Sequence, residues 1–96
     1  MEQWNLLTKH GRVLLCIASD PRMRLRDIAA TVEITERSAY AIVGDLAALG
    51  YVHKQRDGRR NRYAIQRHLP VPDPGLAHRT IGETLDAFLL AHPRGA

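Results

Sequence analysis

Cysteine occurs once in the 96 residues, at Cys16, so no internal disulfide can staple the fold and stability has to come from packing. No run approaches the roughly 20 apolar residues of a membrane-spanning helix, and the amino terminus lacks the charged-then-apolar pattern of a secretory signal. A soluble, cytoplasmic protein with no membrane partner is expected. Only five aromatic residues are present, too few for the stacking platforms that single-stranded nucleic acid requires. The chain has no G-x-S-x-G, no glycine-rich phosphate loop and no carboxylate pair with a general-acid partner. At this length there is room for one core but not for a deep substrate cleft. Neither an enzyme with catalytic residues nor a cofactor is expected. His10, His53, His68, His78 and His92 show no ligand spacing to cysteine or carboxylate, and a zinc site would need His78, His92 and Asp86 to converge across a dimer. No metal is expected. Cys16 lies in an apolar stretch and reads as a small buried hydrophobe, because a redox-active thiolate needs an electropositive, accessible setting. No internal repeat is visible.

Acidic residues are in the minority, ten against fourteen basic ones, for a formal charge of +4 and an isoelectric point near 9.8. A polyanionic partner fits that balance. Lysine is scarce too, two against twelve arginines, a bias that base composition of a genome can produce without any recognition chemistry. Where the charge sits is more telling. Lys54, Arg56, Arg59, Arg60, Arg62 and Arg67 fall in or just after Y-V-H-K-Q-R-D-G-R-R-N-R-Y-A-I, with Asp57 the only acid among them. Asp57-Gly58 is a hairpin turn signal. A four-residue loop from Asp57 to Arg60 keeps Val52, Tyr63 and Ile65 on one face of the ribbon.

Around this hairpin the apolar spacing is helical. Leu6, His10, Val13, Leu14 and Ile17 form a stripe that Leu7, Leu15 and Ala18 widen, with Thr8 or Asn5 as cap and Asp20-Pro21 as stop. Met23-Arg24-Leu25 is placed to add a third strand beside the hairpin. Leu25, Ile28, Ala29 and Val32 define a short second helix. Thr35 caps a third, with Ala39, Ile42, Val43, Leu46 and Leu49 inward and Gly50 as its left-handed stop. Residues 1–69 are thus expected to form one domain. Pro70 to Pro74 reads as a stiff connector, spanning 70–75, that holds the remainder away. Within 76–96, Thr80 and Glu83 form a T-x-x-E capping box before Ile81, Leu85, Phe88 and Leu89 on one helical face.

The order helix, helix, turn, helix, basic hairpin resembles the winged helix-turn-helix regulators of the broad MarR-like and ArsR-like kind, over about Trp4 to Ile65. The segments W-N-L-L-T-K-H-G-R-V-L-L, L-R-D-I-A, I-T-E-R-S-A, L-A-A-L-G-Y-V and G-R-R-N-R-Y are similar to those of small stand-alone bacterial and archaeal regulators. The fold class expected is therefore α+β: a three-helix core, a β-hairpin wing and an extra carboxy-terminal helix. The resemblance implies double-stranded DNA as partner, usually bound by a homodimer, with the third helix in the major groove and the wing on backbone or minor groove. Val32-Glu33 departs from the group, standing where such turns commonly carry glycine; a strained or remodelled turn follows. Tyr40 and Ala41 stand where longer polar or basic side chains are usual.

The DNA-contacting candidates are Thr35, Glu36, Arg37, Ser38, Tyr40 and Ala41 at the start of the third helix, and Lys54, Arg56, Arg59, Arg60, Asn61 and Arg62 on the wing. Arg37 suits a guanine edge and Glu36 a cytosine amino group. The wing arginines suit phosphates or a narrow minor groove. Arg24 and Arg26 are either phosphate contacts or solvated. The rival reading is a protein-interaction module that packs Arg37, Ala41, Gly44 and Ala48 on a partner helix. For dimerisation the candidates are Leu6, Leu7, Val13, Leu14, Ile81, Leu85, Phe88 and Leu89, unless the last helix folds back on the first. Operator, regulated genes, sign of regulation and effector are not written in the sequence.

Overall fold

Thr8 opens the first helix. Its hydroxyl oxygen accepts from the Gly11 amide at 3.1 Å, satisfying one of the hydrogens that a helix start leaves unpaired. The computed structural model describes residues 7–91, with four helices and one hairpin. Helix α1 runs Lys9–Ser19 and ends at Asp20, ahead of Pro21. Leu6, Asn5 and Trp4 lie outside the described residues. Helix α2, Leu25–Val32, buries Ile28, Ala29 and Val32 in barely two turns.

The turn after α2 is not remodelled. Glu33 takes the left-handed conformation itself, φ 63° and ψ 48°, and Ile34 closes the turn by donating to the Ala29 carbonyl at 2.9 Å. Helix α3, Glu36–Ala48, starts at Thr35, which accepts from the Ser38 amide at 3.0 Å, and turns inward Ala39, Ile42, Val43 and Leu46. Leu49 does not join them. It lies past the last helical residue, 67% exposed, because Gly50 at φ 86° swings the chain away and leaves it on the rim of an uncovered groove.

Strands β1, Val52–Asp57, and β2, Arg60–Ile65, pair antiparallel with Val52 opposite Ile65, Lys54 opposite Tyr63 and Asp57 opposite Arg60. The loop is therefore two residues, Gly58-Arg59, not four. Only Gly58, at φ 66°, has positive φ, so Asp57 is the last strand residue rather than half of the turn. Two residues and four share the same parity, which is why Val52 and Tyr63 are buried as the pattern required. The third strand does not form, because Arg24 is already the N-cap of α2; the segment offers β2 one backbone bond, Tyr63 N to Pro21 O at 2.9 Å.

The proline-rich connector folds rather than separates. Pro70 bridges Thr80, Val71 donates to the Arg79 carbonyl, and Ile81 and Gly82 donate to Leu69 and Arg67, closing a loop that holds a short 3-10 turn, Pro74–Leu76. Helix α4, Ile81–Ala91, is thereby returned to α1, and Ile81 and Leu85 enter the same core as Val13, Leu14 and Ile17. The capping box is reciprocal: Thr80 N donates to Glu83 Oε1 at 2.9 Å and Glu83 N to Thr80 Oγ1 at 3.2 Å. The Thr80 amide in turn holds the Glu83 carboxyl below its ordinary pKa. Arg67 fixes the helix flank through a 2.6 Å bond to Asp86, lying so close over Gly82 that a Cβ there would come within 2.9 Å of it.

Glu33 marks the one non-glycine left-handed residue among those described. Steric crowding of Cβ there costs about 1 kcal/mol, and glycine relieves it at a smaller entropic loss. Glu33→Gly is expected to raise unfolding free energy by up to about 1 kcal/mol in urea titration; a midpoint unchanged or lowered would show that Glu33 bears no strain.

Candidate nucleic-acid interface

The amino-terminal turns of α3 present their side chains outward. Thr35, Glu36, Arg37, Ser38, Tyr40 and Ala41 are all exposed, while the neighbouring Ala39 is fully buried and fixes the helix's rotation. Thr35 both accepts from the Ser38 amide and donates to Ser38 Oγ at 3.0 Å. The exposed Ser38 hydroxyl keeps a hydrogen to donate. Arg37 forms no ion pair among the described residues. On the same outer face Gly44 has open space where a Cβ would stand, so the helix surface is shallow beyond its first turns.

Tyr40, in the second turn of α3, is 67% exposed. Burial pushes the pKa of the Tyr63 hydroxyl up, with Asn61 counteracting and Tyr40 adding to the rise, so the two tyrosines are electrostatic neighbours. Lys54 pairs across from Tyr63 and Arg56 across from Asn61, which puts both cations on the ribbon face that continues from the core. Arg60 and Arg62 belong to the other face, and Arg59 to the tip.

The six hairpin cations are not equivalent. Lys54, Arg56, Arg59 and Arg62 are exposed and form no ion pair among the described residues. Arg60 turns inward instead, donating from Nη2 to the Arg22 carbonyl at 2.6 Å; its Nε is buried without a partner, as is Asn61 Oδ1. Arg67 is held by Asp86. Arg24 and Arg26, at the start of α2, are exposed and form no ion pair among the described residues. Arg22, which carried no signal in the sequence, pairs with Asp57 Oδ2 at 3.3 Å. Nothing local could have revealed it, since the partners are 35 positions apart.

The groups named for metal and redox chemistry are spread apart. Among the described residues no cluster of His, Cys, Asp or Glu can hold a metal ion; Asp86 is engaged by Arg67, and His92 lies outside that range. Cys16 is 7% exposed, and burial raises its thiol pKa above the usual value, only partly countered by the Arg12 charge. No helix among the described residues is long and apolar enough to cross a membrane.

This architecture of three helices, a hairpin wing and a fourth helix is a winged helix-turn-helix, the α+β class of transcription regulators. The chain belongs to the IclR helix-turn-helix domain family, whose profile matches residues 6–56, and such regulators are not enzymes. Among solved structures it is similar to MepR, a transcription regulator of the Staphylococcus aureus multidrug efflux pump MepA, at 13% identity and a TM-score of 0.54, covering 91% of this chain and 60% of that one. The PcaV transcriptional regulator of Streptomyces coelicolor, solved with its natural ligand, matches at 23% identity and 0.56, covering 92% and 64%. A Mycobacterium tuberculosis MarR-family protein in complex with salicylic acid matches at 21% and 0.52, covering 93% and 67%. The chain thus spans about three fifths to two thirds of these regulators' lengths. No curated protein matches it.

A buried thiol with a raised pKa should be unreactive. Labelling of Cys16 by a thiol reagent at pH 8 is expected to be far slower in the folded protein than in urea and to accelerate as pH rises. Equal rates in both states would show an open, activated thiol.

Proposed function

We propose that the protein is a transcriptional regulator that binds duplex DNA sequence-specifically, setting α3 in the major groove and the wing on the adjacent backbone or minor groove. The observation that carries this is the distribution of unpaired charge. Lys54, Arg56, Arg59 and Arg62 stay free on the hairpin, as do Arg24, Arg26 and Arg37 near the helix-turn-helix, whereas Arg67 and Arg79 on the α4 side are neutralised by Asp86 and Glu83. Free guanidinium groups release condensed counterions when they meet phosphate. In this reading Arg37 and Glu36 read base edges, while Ser38, Tyr40 and the wing fix register. Arg60 and Asn61 support the wing from within. None of the comparisons favours a module that binds only protein.

The working form is proposed to be a cytoplasmic homodimer. Val13, Leu14, Ile81 and Leu85 are spent on the chain's own core, so the seam is assigned to what the core leaves open. Leu7, Leu15, Leu49, Pro72 and Phe88 frame a groove of about 390 Å³ between α1 and α4, lined almost wholly by carbon, and half-buried Leu89 lies one residue beyond on α4. A contiguous apolar surface of this kind favours a partner. With two-fold symmetry the recognition helices would sit about 34 Å apart, on an inverted repeat. Helix α4 then serves both core and seam.

The first test is electrostatic. Arg59→Ala with Arg62→Ala is expected to weaken binding to all duplexes similarly and to reduce the salt slope by about 0.9 per lost phosphate contact, read by fluorescence anisotropy; an unchanged slope removes the wing from the interface. The second concerns assembly. Sedimentation equilibrium at micromolar concentration should show a wild-type dimer and a folded monomer for Leu49→Glu with Phe88→Glu, positions that avoid the core. A monomeric wild type refutes the dimer.

A further inference from the structure

The acid in the wing is the residue that the charge argument leaves unexplained. A hairpin built only to attract phosphate gains nothing from Asp57, which sits beside the turn among Arg56, Arg59 and Arg60. The geometry gives it a different partner: its Oδ2 lies 3.3 Å from Nε of Arg22, on the loop between α1 and α2. Two further contacts join the same two segments. Arg60 Nη2 donates to the Arg22 carbonyl at 2.6 Å, and Tyr63 N donates to the Pro21 carbonyl at 2.9 Å. The hairpin is thus held to the 21–22 loop at three points along its length, from its last turn-side pair to the core.

We propose that Arg22 and Asp57 are positioning residues, which latch the wing at a fixed angle to the helix-turn-helix so that its free cations meet phosphates in one register with α3. The proposal rests on the DNA-binding reading and deepens it. Arg22 lies two residues before Arg24, the N-cap of α2, so the loop that receives the wing also carries the start of that helix. Tilting the hairpin would require breaking the Asp57 pair and the Arg60 bond together. The outer contact is half exposed on both sides, so its energy is small and its effect is directional rather than stabilising. Two phosphate-contacting elements that move independently can each find backbone anywhere. Locked together, they favour duplexes whose groove spacing fits the fixed angle.

The latch and a plain charge effect predict different outcomes. Asp57→Asn removes an acid from a basic surface, so charge alone predicts tighter binding to every duplex, with the preference for a selected sequence unchanged. The latch predicts that the ratio of selected-duplex to random-duplex affinity falls by about two- to fivefold, the range of an exposed pair's coupling. Arg22→Gln is expected to lower the ratio by the same factor, and the double variant by no more than either single one. The measurement is anisotropy titration of the full chain against a duplex enriched from random sequence and a scrambled control. Thermal melts in parallel show that each variant is folded. An unchanged ratio in Asp57→Asn, or additive losses in the double variant, overturns the latch while leaving DNA binding intact. A wild type that binds no duplex overturns the DNA-binding reading itself, and the latch with it.

Discussion

Burial of the inner face of α1 is the constraint on which everything else in this chain depends. Val13 and Ile17 are wholly buried, and α1 packs against α2, α3, β2 and α4. A small domain gains about 1.5 to 3 kcal/mol from each such side chain, so it cannot leave one flank of its central helix bare. Helices α2 and α3 cover one side, the hairpin a second through β2, which carries Tyr63, and α4 the third with Ile81 and Leu85. The turn after α2 is set by this demand. Glu33 accepts a left-handed backbone because Ile28, Ala29 and Val32 on one side and Ala39 on the other must reach the same core.

Once the core has fixed the helices, charge is sorted by side. Around α4 the cations are answered by carboxylates, Arg67 by Asp86 and Arg79 by Glu83. His10 of α1 also hydrogen-bonds Asp45 of α3, at 3.0 Å. These exposed pairs add little to stability. The hairpin and the starts of α2 and α3 are left with guanidinium groups that only solvent or a polyanion can satisfy. Asp57 is the exception that tests the rule, and it is turned toward Arg22.

Most of the fold was legible because it is written in local chemistry: Thr8, Thr35 and Thr80 as caps, Gly50 and Gly58 as left-handed positions, and 3.6-residue spacing at Val13, Ile17, Ile28, Val32 and Ile42. The candidate interface was legible in outline for the same reason, since Arg37 and the hairpin cations declare themselves by position. The hairpin loop length and the facing of Leu49 were misread locally; the other misreadings are long-range. Pro70 to Pro74 has the composition of a spacer, but whether such a segment separates or closes depends on Ile81 N reaching Leu69 O, a contact with no local signature. Composition likewise counted Arg60 and Arg67 with the free cations, although one carbonyl and one carboxylate far along the chain claim them. Arg22 went unnoticed for the mirror-image reason. Its partner is remote, and nothing in P-R-M-R distinguishes it from Arg24.

The returning α4 changes what association can mean for this protein. Had the last helix been held apart, its apolar stripe would have been satisfied only between copies, and folding would have been inseparable from dimerisation. Ile81 and Leu85 are already covered within one chain, with Phe88 and Leu89 left half-open on the same helix. A protomer of this kind has a complete core before any partner arrives. The groove between α1 and α4 then adds area to a surface that is already formed, and its rim residue Leu49 sits at the end of α3, the helix proposed to enter DNA. A partner seated there would bear on the recognition helix directly, through Leu46 and Leu49, without passing through the wing. The wing has its own tether to the α1–α2 loop.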